Sequence, residues 1–316
     1  MSDDLQLPFA PSDIFRGFTF EDSVRINALC HLADSLDPHH FIDAIGIRVD
    51  PSYCPWIADR IGTQAPLQLL PTDGYLADGI EYAALALALE WAAGKPSFVV
   101  GEIGAGWGPW ITAAAVLARR RGFTTINMTA LEADNERFEA MRRHLAINDL
   151  VPTDAPRRGS LEGLDWRLHC AAADWCDRPL YWPSTGGLSD AGMAAGYSPG
   201  ETADYRGVAT QYQAIDGIDL ATAFDHVDTL DFLHLDIQGG EGDLLLNSLP
   251  FLNEKVSAFF AGTHNRKIEG DLIHTLRNSG WILIREKPCQ FYTTANTPTL
   301  TGQTYVDGGQ LWRRAT

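Results

Sequence analysis

The sequence has little basic charge for its length. Its 316 residues include 24 Lys and Arg against 41 Asp and Glu, which gives a formal net charge of -17 at pH 7. Binding to a polyanion draws on clustered Lys and Arg, and the short basic runs in this chain form no stripe. The composition therefore argues against a nucleic-acid partner.

Paired cysteines and long apolar runs are also missing. The five cysteines contain no Cys-x-x-Cys pair, so neither a zinc site nor a disulfide framework is indicated: Cys30, Cys54, Cys170, Cys176 and Cys289. The first residues lack the basic and apolar regions of a secretory signal. The apolar stretch 83–93 is far shorter than the ~20 residues of a membrane span. We expect a cytoplasmic protein without a membrane span.

What remains is the composition of an ordinary globular protein, 45% hydrophobic and 21% charged. Residues 1–95 are expected to form a helical and loop extension, either a cap over the substrate or an oligomer contact. Residues 96–316 are expected to form the main domain, with strands alternating with helices. Such alternation predicts an α/β fold with a mostly parallel sheet covered on both faces. The last two strands, 281–285 and 310–313, are joined by a loop alone and should pair antiparallel as a hairpin at one edge.

The glycine-rich stretch 98–110, F-V-V-G-E-I-G-A-G-W-G-P-W, is the most informative part of the chain. An apolar strand enters a turn with Gly104, Gly106 and Gly108, and a helix follows from Pro109. Glycine lets a backbone approach a ligand closely, so this turn predicts a nucleotide-sized pocket. Its spacing is G-x-G-x-G and not G-x-G-x-x-G. It leaves open a nicotinamide cofactor or a nucleoside-type cofactor without pyrophosphate.

Polar residues at strand ends are the next signal, because ligands of such sheets bind beyond the carboxyl ends of the strands. Glu102 lies in the glycine turn, Glu132 ends the second strand, Asp236 ends the fourth and His264 follows the fifth. Glu132 is suited to accept hydrogen bonds from two ribose hydroxyls, and the alternative is a plain surface charge.

Two irregular segments could cover this pocket. The segment before the glycine strand could fold back over it as a substrate contact, or it could be a plain connecting loop; its polar candidates are Tyr75, Asp78, Glu81 and Tyr82. Residues 174–215 are rich in Gly and Pro without clear periodicity. They predict a long structureless insert that acts as a lid, or else one that is partly disordered.

Three motifs together resemble a known family. The segments E-I-G-A-G-W-G-P-W, L-E-A-D-N-E-R-F-E-A-M-R-R-H-L-A-I-N-D and L-D-F-L-H-L-D-I-Q-G-G-E look like the main motifs of FkbM-type S-adenosylmethionine-dependent methyltransferases. The segment G-T-H-N-R-K-I-E-G looks like that family's region after the fifth strand. The resemblance covers about residues 70–313. It implies a seven-stranded Rossmann-like class I methyltransferase sheet, and members mostly methylate hydroxyl groups of sugars or natural products.

The resemblance also implies a cofactor site. It puts Glu102, Gly104 and Gly106 at the methionine end of S-adenosylmethionine, Glu132 on the ribose, and Ala173 with Asp174 near the adenine. Trp107 departs from the polar residue that many relatives carry there. The full set of expected cofactor residues is Glu102, Gly104, Ala105, Gly106, Trp107, Glu132, Ala133, Ala173, Asp174, Asp236 and Gln238.

For the chemistry, we expect a hydroxyl oxygen to attack the sulfonium methyl in line while the protein takes up the proton. Neutral imidazole suits that task near pH 7, so His264 is the expected base. Asp236 would orient the acceptor or bind the cofactor amino group, with Glu241 and Asn265 as substrate candidates. A divalent metal on Asp236, His264 and Asn265 is the less favoured variant. The rival functions are a nicotinamide-dependent oxidoreductase and a cofactor-binding scaffold without catalysis. The expected acceptor is a small molecule or a glycan.

Overall fold

The computed structural model describes residues 16–69, 78–176, 178–184, 193–196, 198, 200–292, 297 and 299–315. Within these residues the main sheet has eight strands in the order β13-β16-β12-β11-β3-β4-β6-β5. Their bounds are β3 Ser97–Ile103, β4 Thr125–Glu132, β5 Arg158–Leu161, β6 Leu164–Cys170, β11 Phe232–Leu235, β12 Ala258–Thr263, β13 Trp281–Lys287 and β16 Gly308–Arg314. The predicted α/β architecture is confirmed.

The centre of the sheet is parallel and its margins are antiparallel. Strands β12, β11, β3, β4 and β6 pair in parallel, and the chain order reverses between β3 and β11. As predicted, the last two strands pair antiparallel. They lie at one edge of the sheet as predicted, in the order β13-β16-β12, so that β16 joins the edge strand to the parallel strands. Strand β5, antiparallel to β6, brings the total to eight where the resemblance implies seven.

Helices cover both faces of the sheet. One face carries α2 (Gly79–Trp91), α3 (Pro109–Arg120) and α4 (Asn135–Ile147), and the other carries α5 (Leu220–Ala223), α6 (Glu241–Asn247), α7 (Leu249–Lys255) and α8 (Arg266–Asn278). Successive strand residues point to opposite faces, so Phe232 of β11 joins one hydrophobic cluster while Leu233 joins the other. In the described part of the chain no helix has the length and apolar character needed to cross a membrane.

The first described residues pack into the same core as the sheet. They contain α1 (Phe20–Asn27), the two-stranded β1 (Phe41–Ile42) and β2 (Arg48–Val49), and a 3-10 helix (Pro55–Arg60). Ile26, Phe41 and Tyr53 are at most 1% exposed and belong to the cluster that also holds α2 and α3. This region is therefore joined to the main domain by a shared hydrophobic core.

The insert between β6 and β11 is more ordered than its sequence predicts. Strand β8 (Leu180–Pro183) pairs antiparallel with β9 (Tyr212–Ile215), and Tyr181 forms a further bridge with Gly196. At its base, β7 (Ala172–Ala173) pairs in parallel with β10 (Gly217–Ile218). The prediction of a structureless insert is wrong for these residues, because distant segments of the insert pair as antiparallel strands. The Gly and Pro content of the sequence gives no sign of this ribbon. A short hairpin, β14 (Gln290–Phe291) with β15 (Thr304–Val306), lies before β16.

Candidate active site

The glycine loop between β3 and α3 forms the floor of the site. Gly104 has φ +73°, and a Cβ at this position would lie 1.8 Å from the backbone oxygen of Asp236. No other residue fits there, because the loop presses directly on the end of β11. Gly106 also has a positive φ, of +56°, yet a Cβ on it would meet nothing within 4 Å. The loop is therefore tight against the protein on one side and open toward a ligand on the other.

Two buried carboxyl groups hold this loop. Glu102 Oε2 accepts a hydrogen bond from Ile111 N in the first turn of α3, at 2.7 Å. Glu132 Oε2 accepts one from Gly106 N at 2.6 Å, and its Oε1 accepts one from Asp134 N at 2.8 Å. Burial raises the pKa of Glu102 to about 8 and that of Glu132 to about 7, although these backbone donors oppose the rise.

A cavity of about 710 Å³ opens above the loop, at the point where the strand order reverses. That volume lies within the range of small-molecule sites, and the position is where open α/β sheets bind ligands. Most of the expected cofactor residues line it: Glu102, Gly104, Ala105, Gly106, Trp107, Glu132, Ala133, Ala173, Asp236 and Gln238.

Asp174 is the exception among the expected cofactor residues. Its side chain is 5% exposed, pairs with Arg178 at 2.5 Å and is absent from the cavity lining. Of the expected adenine pair, only the neighbouring residue Ala173 lines the cavity.

His264 lies behind the cavity, between two carboxylates. Its Nδ1 is 2.8 Å from Glu241 Oε1 and its Nε2 is 3.3 Å from Asp236 Oδ1. Burial lowers the pKa of His264, but the charges of Glu241 and Asp236 outweigh burial and raise it to about 10. A raised pKa favours the imidazolium form, in which neither ring nitrogen has a lone pair with which to accept another proton. This environment argues against the predicted role of His264 as general base.

Asp236 itself is placed differently. Its side chain is 36% exposed, lines the cavity and follows the last residue of β11. Glu241, by contrast, is fully buried and accepts backbone hydrogen bonds from Ile237 and Gly239 at 3.0 Å each. Glu241 therefore shapes the turn that follows β11, and Asp236 is the carboxylate of this group that a ligand can reach.

The same three side chains are a group that could hold a metal ion among the described residues. The two carboxylates face different nitrogens of one imidazole ring, and one ion can bind only one of those nitrogens. Asn265, expected as a third ligand, instead caps α8: its Oδ1 accepts from Ile268 N at 2.9 Å and its Nδ2 donates to Thr301 Oγ1 at 2.9 Å.

The expected substrate residues divide in the structure. Glu81 lines the cavity, whereas Tyr82 is 1% exposed and packs edge-on against Trp110. Asp78 is the N-cap of α2 and forms an ion pair with Lys287. Tyr75 lies outside the described residues.

His234 is a cavity residue that sequence reasoning missed. It lies in β11, stacks between Trp110 and Phe260 with ring centroids 5.4 and 5.2 Å away, and has its Nε2 3.1 Å from Glu81 Oε1. Burial lowers the pKa of His234, but the hydrogen bond to Glu81 and nearby carboxylates raise it overall. The sequence signal was a histidine alternating with leucines in a buried strand, which by itself is also typical of a core position.

Further lining residues come from the two irregular regions of the chain. Tyr53 and Trp56 come from the first region, and Tyr53 stacks on Trp107 with ring centroids 5.1 Å apart. The insert contributes Trp182, Met193, Ala194, Ala195, Gly196, Glu201, Ala203, Asp204, Tyr205 and Tyr212.

The sheet and the glycine-loop site define a Rossmann-like α/β fold with a small-molecule cavity where the strand order reverses. A curated relative, named "Putative methyltransferase" in Jannaschia sp. (strain CCS1), is 28% identical over 279 residues, which is 86% of this chain and 91% of the relative. No protein-family model matches the sequence.

Solved methyltransferase structures are similar only remotely. A ribosomal protein L11 methylase from Lactobacillus delbrueckii subsp. bulgaricus is 13% identical, with a TM-score of 0.36 over 74% of this chain and 78% of that one. A precorrin-6y C5,15-methyltransferase from Geobacter metallireducens GS-15 is 10% identical, with a TM-score of 0.38 over 73% and 87%.

Proposed function

We propose that the protein is an O-methyltransferase of the FkbM type that methylates a hydroxyl group of a sugar or natural product. The observation that carries the proposal is Asp236, a reachable carboxylate at the end of β11 in the cavity that begins at the glycine loop. The donor site and a proton acceptor thereby share one cavity, as methyl transfer to a hydroxyl requires.

The residues of the cavity fit S-adenosylmethionine. The open space beside Gly106 accommodates a ligand atom where any side chain would intrude. We assign Glu102 and the loop 104–107 to the methionine end, Glu132 with Ala133 to the ribose and Ala173 to the adenine. No cluster of cations lines the cavity among the described residues, which fits a cofactor without pyrophosphate.

In the proposed reaction Asp236 accepts the proton of the acceptor hydroxyl as its oxygen bonds to the methyl group. S-adenosylmethionine, when bound, would supply that methyl group from its sulfonium, whose sulfur would leave as a neutral thioether. His264, held as an imidazolium by Glu241, stays beside Asp236 and fixes its carboxylate. Glu81 and His234 form the wall next to this position.

Calorimetry with S-adenosylmethionine tests the cofactor assignment, and we expect a dissociation constant in the micromolar range. Gly106→Ala should weaken binding at least about tenfold because the methyl group enters the cavity. Gly122→Ala is the matched control: Gly122 also has a positive φ and open space around a Cβ, but it does not line the cavity. Absence of binding in the wild type would sink the proposal, and binding of NAD instead would favour the oxidoreductase.

The acceptor can be sought with methyl-labelled S-adenosylmethionine and a metabolite extract, followed by mass analysis of the products. We expect one labelled product carrying a methyl ether. Transfer should survive exhaustive chelation, since the proposed proton acceptor needs no metal. Cofactor binding without transfer to any molecule would instead support a scaffold that has lost catalysis.

A further inference from the structure

The insert reaches the end of β11 through one side chain. Tyr205, which lies between β8 and β9, donates a hydrogen bond from its hydroxyl to Gln238 Oε1 at 3.2 Å. Its backbone oxygen accepts a second hydrogen bond, from Thr299 Oγ1 at 2.8 Å. Tyr205 and Thr299 both line the cavity, so this contact lies at the edge of the site.

Gln238 continues the connection to Asp236. Its Nε2 donates to Asp236 Oδ1 at 3.1 Å, and the same Oδ1 lies 3.3 Å from His264 Nε2. A carboxylate can only accept hydrogen bonds, so the amide NH₂ must face Asp236 and the amide oxygen must face Tyr205. The two hydrogen bonds therefore run in one direction: Tyr205 donates to Gln238, and Gln238 donates to Asp236. The oxygen and the nitrogen of the Gln238 amide are both hydrogen-bonded within the protein.

The backbone at Gln238 has a conformation that is uncommon for a residue with a side chain. Gln238 has φ +58°, in the left-handed region that favours glycine, and it is followed by two glycines. The turn is held from behind by Glu241, which accepts hydrogen bonds from Ile237 and Gly239. A side chain kept in a conformation that glycine would adopt more easily indicates a functional requirement for the amide.

We propose that Gln238 is a positioning residue that couples closure of the insert to Asp236, and that the Tyr205 hydroxyl is the latch. With the latch formed, Gln238 Nε2 and His264 Nε2 both lie next to Asp236 Oδ1. Oδ2 has no hydrogen-bond donor among the described residues and is left for the acceptor hydroxyl. Gln238 is then not a ligand of the cofactor. The role given to Asp236 rests on the proposed function, whereas the latch does not.

Hydrogen exchange of the free protein tests the latch without any ligand. The segment 202–210 of the insert contains internal backbone hydrogen bonds, such as Thr210 N to Thr202 O, whose exchange reports its opening. Tyr205→Phe and Gln238→Gly should each raise exchange of this segment about fivefold, the effect of losing one hydrogen bond. The double variant should exchange no faster than either single variant, because both remove the same contact.

Misfolding could also raise hydrogen exchange of the segment 202–210, and two variants exclude this explanation. Gln238→Gly relieves the positive φ, so the fold is retained while the amide is lost. Tyr181→Phe removes another hydroxyl of the insert that has no partner among the described residues and does not line the cavity, and it should exchange as the wild type does. Unchanged exchange in either single variant, or additive effects in the double variant, would overturn the latch.

Two measurements separate positioning from cofactor binding. The affinity for S-adenosylmethionine should be the same in Gln238→Gly and the wild type; a tenfold weaker affinity would make Gln238 a cofactor ligand and overturn the inference. Initial methyl transfer from the labelled cofactor to a metabolite extract should fall about tenfold or more in Tyr205→Phe and Gln238→Gly alike. Undiminished transfer would show that Asp236 is positioned without them. A wild type that binds no cofactor would defeat the proposed function, while the exchange measurements would still decide the latch.

Discussion

The wall of the cavity formed by the glycine loop and the wall formed by the insert are held in different ways. In the first, Glu102 and Glu132 are at most 3% exposed and accept hydrogen bonds from backbone N–H groups of α3 and of the glycine loop. In the second, Trp182 and Tyr205 are each tied to the domain by a side-chain hydrogen bond, to Asp134 and Gln238. We call the first the cofactor wall, because the proposed function assigns the cofactor to it, and the second the insert wall; the cofactor wall is fixed by the fold itself. The insert wall can change its side chains without disturbing the sheet, which suits a surface that selects the acceptor.

The largest expected effect is on the cofactor wall. Gly104→Ala places a Cβ against the backbone of Asp236 at a positive φ, and it should lower the free energy of unfolding by at least about 4 kcal/mol. Urea denaturation measures this, with Gly106→Ala, which should cost only about 1 kcal/mol, as the control. A loss for Gly104→Ala as small as that of the control would show that the loop is not fixed by its contact with β11.

Next in size is the effect of Asp236→Asn on activity. Losing the proton acceptor should lower the rate of methyl transfer about 10²- to 10⁴-fold while the affinity for S-adenosylmethionine stays within about twofold. Transfer of labelled methyl groups and calorimetry on the same preparations give both quantities. Asp228→Asn, an exposed carboxylate away from the cavity, should match the wild type. If Asp236→Asn also retained its rate, another group would have to take the proton.

A third prediction concerns pH. The pKa of His264 is raised in the folded protein to about 10, so the folded state binds the extra proton that the unfolded state releases near pH 6.5. Its stabilising contribution is complete below pH 6.5 and is lost as the pH rises toward 10. Between pH 7 and 9.5 the free energy of unfolding should fall by on the order of a few kcal/mol more in the wild type than in His264→Gln. Equal slopes for the two proteins would mean that His264 is neutral in the fold.

The smallest effect is expected on the insert wall. Trp182 and Trp166 each donate an indole hydrogen bond, at 3.0 Å to Asp134 and at 2.9 Å to Pro156 O. Trp166 is 3% exposed within β6, whereas Trp182 is half-buried. Trp182→Phe should cost about 1 kcal/mol or less, and Trp166→Phe about 2–3 kcal/mol because it also leaves a cavity. Similar losses in thermal unfolding would remove the contrast between the two walls.

Much of the cofactor wall was predictable because its signals are local. A glycine turn after an apolar strand and an acidic residue at the end of the next strand predicted that Gly104, Gly106 and Glu132 would lie together, and they line one cavity. Asp236 was predicted to join them for the same reason, since parallel strands bring their carboxyl ends to one edge.

The features that escaped prediction depend on pairing between distant residues. The position of β16 between β12 and β13 is set by hydrogen bonds that no local pattern encodes. The raised pKa of His264 depends on Glu241, which lies in α6, outside the local sequence of His264. The ribbon of the insert joins residues about 30 positions apart, such as Trp182 and Gln213, through a sequence without strand periodicity.

The pairing of β3 with β11 has a consequence for folding. At this junction the backbone N–H of Val99 meets the side chain of Asp231, 132 residues away along the chain. Closing so long a loop is slow compared with forming the neighbouring pair β3–β4, so this junction is expected to form late. Because the cavity lies on it, partly folded chains should contain β3 and β4 together and yet bind no cofactor. The ability to bind would then be acquired in the last steps of folding, and early unfolding would abolish it first.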